Sequence, residues 1–195
     1  MSKYKVLLTD RPWSDWSIET EILSAIDAEV VAAPDGDEET LIKLAADCDA
    51  IGTCWAQVTA NVISAVPKCR GIARFGIGLD NIDVDFATEH DIPVTYIPDY
   101  CVEEVADHTM ALLLACARNI AFFHARTKQG EYDLRAAPLM HRLQDRVLGL
   151  VGVGRIGAAV ASRARAFGME VIAHTPSGDP HDSGCRMVDF DELLA

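Results

Sequence analysis

Val147-Leu-Gly-Leu-Val-Gly-Val-Gly-Arg-Ile-Gly157, continued by Ala158-Ala-Val-Ala-Ser-Arg-Ala-Arg-Ala-Phe-Gly168, decides the fold of this chain. Val147 to Val151 is a short apolar run of the kind that a buried parallel strand needs. Gly152, Gly154 and Gly157 then spell G-x-G-x-x-G. Ile156, Ala159, Val160, Ala164 and Phe167 follow at helical spacing, and Gly168 supplies a C-terminal stop. Strand, glycine turn and helix in that order predict a dinucleotide-binding turn. Gly152 permits the tight turn off the strand, Gly154 lets a pyrophosphate approach the backbone, and Gly157 lets the helix pack close to the strand. The helix start offers unpaired N–H groups and the positive end of a dipole to the phosphates.

The surrounding 195 residues are long enough for one large or two small domains, and at 50% hydrophobic they can bury a sizeable core. The formal charge of −13 argues against nucleic acid and anionic membranes as partners, because both need positive charge. No apolar run reaches membrane-spanning length, and Met1-Ser-Lys-Tyr-Lys5 enters a strand at once. A cytoplasmic protein is expected. The cysteines, Cys48, Cys54, Cys69, Cys101, Cys116 and Cys185, show no C-x-x-C spacing, so free thiols are the expectation. His174, His181 and Cys185 lie close in sequence but match no metal-site spacing, so no metal is expected.

Upstream of the glycine stretch the chain alternates strands with helices. Strands are predicted at Tyr4–Thr9, Glu29–Ala33, Ala50–Thr53, Gly71–Phe75 and Ile92–Tyr96. Helices are predicted at Ile18–Ile26, Leu41–Ala46, from the Thr59 cap to Val66, and at Asp83–His90, with Pro34-Asp-Gly-Asp37 as a turn and cap. Such alternation implies a parallel sheet covered on both faces. Val102 to Arg126 reads as one long helix whose middle, Met110 to Ala117, is apolar nearly all round and so predicted to be buried on several sides. Gln129 to Arg146 is polar, Met169–Ala173 is a further strand, Thr175–Gly184 is a loop, and Asp189-Phe-Asp-Glu192 has capping-box spacing for a short helix. A dinucleotide fold needs more strands than this chain supplies after the glycine motif, and the sheet would end on an exposed apolar edge. The expectation is therefore a piece of a longer protein.

A second signature, Arg74-Phe-Gly-Ile-Gly-Leu-Asp-Asn-Ile-Asp83, lies at the end of the fourth predicted strand. Glycines at alternate positions there turn backbone N–H groups outward at the carboxyl end of the sheet, where open α/β sheets bind ligands. Such a nest suits a carboxylate. The same residues also read as a tight strand-to-helix turn capped by Asp83.

Four stretches together resemble the D-isomer-specific 2-hydroxyacid dehydrogenase family. They are Phe75 to Asp83, Ile97-Pro-Asp-Tyr-Cys-Val-Glu-Glu-Val-Ala-Asp-His108, Leu148 to Gly157, and Ala166-Phe-Gly-Met-Glu-Val-Ile-Ala173. The run from Asp99 to Glu104 most resembles the branch near the C-terminal-binding-protein corepressors. The resemblance implies a flavodoxin-like parallel-sheet substrate domain over residues 1–100, completed in the family by a C-terminal tail. It also implies an incomplete Rossmann NAD(P)-binding domain over 101–195 that begins with the helix 102–126. By the same resemblance, the backbone at Ile77 and Gly78 holds the substrate carboxylate. Val102, Gly152, Gly154, Arg155, Ile156, Gly157, Thr175 and Pro176 line the cofactor.

The implied reaction is hydride transfer between NAD(P) and C2 of a small D-2-hydroxy or 2-keto acid. The family's acid–base His, its partner Glu and its carboxylate-binding Arg lie downstream of the glycine motif, and no residue here matches them. His108, His124 and His141 read as surface or interdomain histidines. No catalytic residue is assigned in this chain, which alone is expected to be inactive. Two further departures stand out. His174-Thr175-Pro176 replaces the family's Tyr-Asp-Pro, removing a carboxylate that would repel a 2′-phosphate; NAD is the first expectation by the family, and this departure makes NADP the alternative. Thr53-Cys-Trp-Ala56 lacks the Arg-Ser pair of the phosphoglycerate branch, and Trp55 reads either as the wall of an apolar pocket or as a packing residue. A homodimer is expected at full length. The other readings are a dinucleotide-sensing interaction protein of corepressor type and a fragment without function of its own.

Overall fold

Ten strands and helices alternate from Tyr4 to Ala117 in the computed structural model, which describes residues 3–195. They are β1 (Tyr4–Leu8), α1 (Ser17–Ser24), β2 (Ala28–Ala32), α2 (Glu38–Ala45), β3 (Ala50–Thr53), α3 (Ala60–Ser64), β4 (Ile72–Arg74), α4 (Val84–Glu89), β5 (Val94–Thr95) and α5 (Val102–Ala117), the last opening the second unit. The second unit continues with α6 (Ile120–Lys128), β6 (Val147–Val151), α7 (Arg155–Ala166), β7 (Glu170–His174), β8 (Arg186–Met187) and α8 (Phe190–Leu194). Two compact units result, residues 1–100 and 101–195.

In the first unit the strands form one parallel sheet in the order β2-β1-β3-β4-β5. Caps start α2, α3 and α4 where the sequence places short polar side chains, whereas α1 starts at Trp16 without one. Asp37 accepts Thr40 N–H, Thr59 accepts Val62 N–H and Asp83 accepts Phe86 N–H. One face of the sheet is fully covered. Leu7, Ile51 and Ile72 from three neighbouring strands pack with Leu41 and Ala45 of α2, Val62 and Ile63 of α3 and Ala87 of α4. Full burial of each large aliphatic side chain there contributes roughly 1.5–3 kcal/mol.

The opposite face corrects the expectation of a sheet covered on both sides. Among the described residues only α1 lies on it. The rest is an apolar cavity of about 480 Å³ lined by Leu8, Gly52, Ala73 and Phe75, by Ile22 of α1 and by Ile26 just past its end. The helical stripe of α1 therefore stays in water, with Ile18, Ile22 and Ile26 all exposed. β5 is also shorter than the predicted Ile92–Tyr96, because its ladder to β4 extends only over Val94 and Thr95.

In the second unit β6, β7 and β8 form a parallel sheet in that order. α7 packs Val160, Ala161 and Ala164 against Val171 and Ala173, and Ala106 and Met110 of α5 join the same core. Asp189 accepts the Glu192 N–H at 2.7 Å, as its capping-box spacing predicts. Four expectations need correction here. The predicted helix 102–126 is two helices, broken where Asn119 takes a left-handed backbone (φ 54°) and donates its side-chain amide to Pro138 O at 2.8 Å. Of the apolar run Met110–Ala117 only Met110 is buried, and Leu112 is exposed. β6 is a parallel strand but an edge strand, so Val147 and Val151 are exposed rather than buried. Phe167, predicted on the buried stripe of α7, is exposed, and Ala161 is buried instead. The short strand β8 was not anticipated at all.

Candidate functional site

The carboxyl edge of the first sheet gathers the chemistry of the first unit. Its strand order is that of doubly wound sheets in which ligands bind beyond the strand ends, near β1 and β3. The turn after β4 carries Phe75-Gly-Ile-Gly78. Ile77 is half-buried and Gly78 exposed, and neither N–H makes a hydrogen bond among the described residues. Two such donors side by side at a sheet's carboxyl edge suit a carboxylate oxygen.

This turn is braced from the loop after β3. Val58 N–H donates to Asn81 O at 2.7 Å, and Asp83 N–H donates to Val58 O at 3.0 Å. Asn81 is buried and fully used: its amide nitrogen donates to Ala56 O at 2.8 Å, and its amide oxygen accepts Arg74 Nε at 3.0 Å. The Arg74 guanidinium packs where a Cβ on Gly76 would sit, and its Nη1 is buried with no hydrogen-bond partner among the described residues.

Asp10, directly after β1, was missed in the sequence reading. Its Oδ1 accepts Cys54 N–H at 2.9 Å and its Oδ2 accepts Trp55 N–H at 2.7 Å. The Thr9 hydroxyl lies 2.8 Å from both Asp10 Oδ1 and the Thr53 hydroxyl. Burial pushes the Asp10 carboxyl up. The Cys54 N–H, the Thr9 hydroxyl and the N–H groups of Trp55 and Ala56 outweigh it and hold the carboxyl below the usual carboxylate value. The same loop buries Cys54, whose thiol is pushed up by burial and by the Asp10 charge, with Arg74 opposing. Cys54 is thus not an activated thiol. The only sequence signal for Asp10 was an acidic residue at the carboxyl end of an apolar strand. The aromatic rings Trp13 and Phe75 meet edge-on at 5.9 Å over this edge.

In the second unit the glycine turn and the loop after β7 lie side by side, joined by Gly152 N–H donating to His174 O at 2.8 Å. Gly152 has a φ of 94°, which suits glycine. A Cβ on Gly157 would strike the Gly152 carbonyl oxygen. A Cβ on Gly154 would meet nothing within 4 Å, so the protein's own packing does not demand glycine there. The surface above Gly154, at the N-terminus of α7, is therefore open, and unpaired N–H groups at a helix start suit an anion. Arg155 and Ile156 open α7, and Val102 opens α5.

Thr175 is buried, its hydroxyl 3.3 Å from the Ser177 hydroxyl and 3.4 Å from Asp179 O, and Pro176 is exposed beside it. His174 Nδ1 lies 3.1 Å from Val188 O, which orients the ring toward Phe190. Arg163 ties α7 to α5 through Asp107 at 2.7 Å and Glu103 at 2.6 Å. Among the described residues no cluster of His, Cys, Asp and Glu has metal-site geometry.

These observations converge on a class, a two-unit α/β scaffold of parallel sheets with a glycine-rich turn at the carboxyl end of a strand in each unit. The chain belongs to the D-isomer specific 2-hydroxyacid dehydrogenase family, whose catalytic-domain model matches residues 6–176. It is 37% identical to the hydroxypyruvate reductase of Thermotoga maritima over 195 residues, covering 100% of this chain and 62% of that protein. Among solved structures, it is similar to the D-lactate dehydrogenase of Aquifex aeolicus complexed with NAD and lactic acid, with a TM-score of 0.84 and 27% identity over 97% of this chain and 57% of that one. It is equally similar to an acyclic imino acid reductase in complex with NADPH and D-Arg, with a TM-score of 0.84 and 29% identity over 97% of this chain and 62% of that one. The chain thus spans about 62% of the length of the hydroxypyruvate reductase. No helix among the described residues is long and apolar enough to cross a membrane.

Proposed function

We propose that this chain carries the substrate-carboxylate turn and the dinucleotide turn of an NAD(P)-dependent oxidoreductase that acts on the CH–OH carbon of small D-2-hydroxy acids. One observation carries the reading: the N–H pair of Ile77 and Gly78, without a hydrogen-bond partner among the described residues, at the carboxyl edge of the first sheet. Those two donors hold the substrate carboxylate, and Gly152, Gly154, Arg155, Ile156 and Gly157 cradle the pyrophosphate, with Val102 near the nicotinamide. The nicotinamide, when bound, supplies the hydride acceptor. Thr175 and Pro176 meet the adenosine ribose. NAD is the first assignment by the family, and because no carboxylate at Thr175 repels a 2′-phosphate, NADP is the alternative.

Residues 3–100 contain one histidine, His90, and it is stacked on Phe86 with Nδ1 2.9 Å from Phe86 O. It lies at the C-terminal end of α4, away from the turn. No residue of the chain matches the family's acid–base His, so we assign none and expect no turnover from the 195-residue chain alone. The free thiols fit a reducing cytoplasm, and exposed Val105, Leu112 and Ile120 on α5 and α6 fit a homodimer at full length.

Fluorescence titration of the chain with NADH and NADPH tests the reading. Both nucleotides should bind with comparable affinity. Binding of neither refutes the dinucleotide site, and a strong preference for NADPH reverses the assignment of NAD.

A further inference from the structure

We propose that the cavity between the loops after β1 and β2 binds a compact quaternary ammonium cation, and that the side chain of Arg11 is its built-in competitor. The cavity has a volume of about 530 Å³ and is lined by Asp10, Arg11, Trp13, Trp16, Pro34 and Asp35. It lies at the carboxyl edge of the first sheet, on the far side of β1 from the Ile77–Gly78 turn, with β3 between β1 and β4. It is a second site, independent of the hydroxy-acid reading.

Three features select the ligand. The first is a corner of aromatic rings. Trp13 and Trp16 meet at 5.9 Å with their planes 85° apart, and Trp13 also meets Phe75 at 5.9 Å. Rings fixed by their neighbours are pre-organised, and an indole face attracts cations more strongly than the other aromatic side chains do. The second is charge. Asp10 and Asp35 set two carboxylates against the one guanidinium of Arg11, which forms an ion pair with neither among the described residues. The hydrogen bonds that lower the Asp10 carboxyl keep it ionised at neutral pH. The third is how few directional acceptors remain. Both Asp10 oxygens accept the N–H groups of Cys54 and Trp55, and Asp35 Oδ1 accepts Asp37 N–H at 3.2 Å. A primary ammonium is strongly hydrated and carries three N–H donors that need partners. A quaternary ammonium has none and asks only for negative potential and ring faces.

Arg11 shows that this corner takes a weakly hydrated cation. Its guanidinium lies over the Trp16 ring, 5.5 Å from the centroid, while Nη1 donates to Trp13 O at 3.0 Å. The protein's own cation thus stands on one of the two rings, tethered by one hydrogen bond to a neutral carbonyl. A bound cation must displace it or sit beside a like charge, and either lowers affinity.

The test is two-dimensional NMR on the isotope-labelled 195-residue chain, following the indole N–H signals of Trp13, Trp16 and Trp55 during titration with choline chloride. Sodium chloride at equal concentration controls for screening. Trp55, an exposed indole outside the cavity, controls for unspecific stacking. Choline should move the Trp13 and Trp16 signals and leave the Trp55 indole and the Ile77 and Gly78 amides in place. Its uncharged isostere, 3,3-dimethyl-1-butanol, should bind at least about tenfold more weakly. Arg11→Ala should tighten choline by about tenfold, a gain that a misfolded variant does not mimic. Asp35→Asn, at an exposed loop residue, should weaken it by about threefold.

If choline moves neither Trp13 nor Trp16 in both the parent and Arg11→Ala, the proposal is overturned. Equal affinity for the uncharged isostere overturns it too, because the cavity is then an apolar cleft without selectivity for charge. Unchanged or weaker binding in Arg11→Ala does the same, because Arg11 then competes with nothing.

Discussion

Gly157→Ala probes whether the glycine turn is closed by the protein's own backbone. The added Cβ would strike the Gly152 carbonyl oxygen and come within 3.2 Å of its carbon, both of them backbone atoms with no side chain to swing aside. The turn must open. Overpacking of this kind costs about 1–3 kcal/mol. Opening also strains the Gly152 N–H bond to His174 O, worth about 1 kcal/mol. Against this, Ala in a helix gains at most about 1 kcal/mol over Gly. The net expectation is a loss of about 1–3 kcal/mol, confined to the second unit. Because the chain has two units, a single unfolding curve does not report this cleanly.

Amide hydrogen exchange does report it. Protection at Val160 and Ala173 should fall by about tenfold to a hundredfold, while Leu7 and Ile51 in the first unit keep theirs. Gly154→Ala is the internal control. Its φ of −64° suits any L residue, and its Cβ meets open space, so protection should be unchanged. Equal loss of protection in both variants, or none in Gly157→Ala, would falsify the assignment of Gly157 as the packing glycine and of Gly154 as the ligand-facing one.

The remaining predictions address the nucleotide, pH and the helix break. Gly154→Ala should weaken NADH binding at least about tenfold at unchanged stability, because the methyl group occupies the space proposed for the pyrophosphate; unchanged affinity by titration removes Gly154 from the site. Burial pushes the Cys48 thiol from its ordinary value near 9 up to about 11. The neutral thiol is favoured in the folded state, so this stability is present below pH 9 and lost as pH rises through about 11. The first unit of Cys48→Ala should lose less stability than the parent over that window, by an amount on the order of 2 kcal/mol in urea unfolding at paired pH values. Asn119→Ala should cost about 1–2 kcal/mol, from the left-handed backbone and the lost bond to Pro138 O; if exchange across α5 and α6 is unchanged, the break is not held by that residue.

Much of this molecule is local and was legible as such. The spacing of Gly152, Gly154 and Gly157 between an apolar run and a helical stripe specifies its turn, because a positive φ and a missing Cβ are properties of single residues. The caps Asp37, Thr59, Asp83 and Asp189 work over three residues and form where the sequence places them. The Ile77–Gly78 turn was legible for the same reason.

Only the tertiary structure decides how those pieces are used. Asp10 meets Cys54 from 44 positions away, a distance at which no periodicity gives warning. Whether the apolar stripe of α1 or the Val147 and Val151 side chains of β6 are buried depends on what packs against them, and neither set finds cover among the described residues. The helix 102–126 breaks at Asn119 because a left-handed residue bonded to Pro138 outweighs an apolar run that would otherwise continue. Residue types and spacings alone thus determine the turns, the caps and the two binding signatures, which are held by short-range sterics and hydrogen bonds. Burial, edges and the anchoring of the loop after β3 on Asp10 depend on partners distant in sequence, and folding alone selects them.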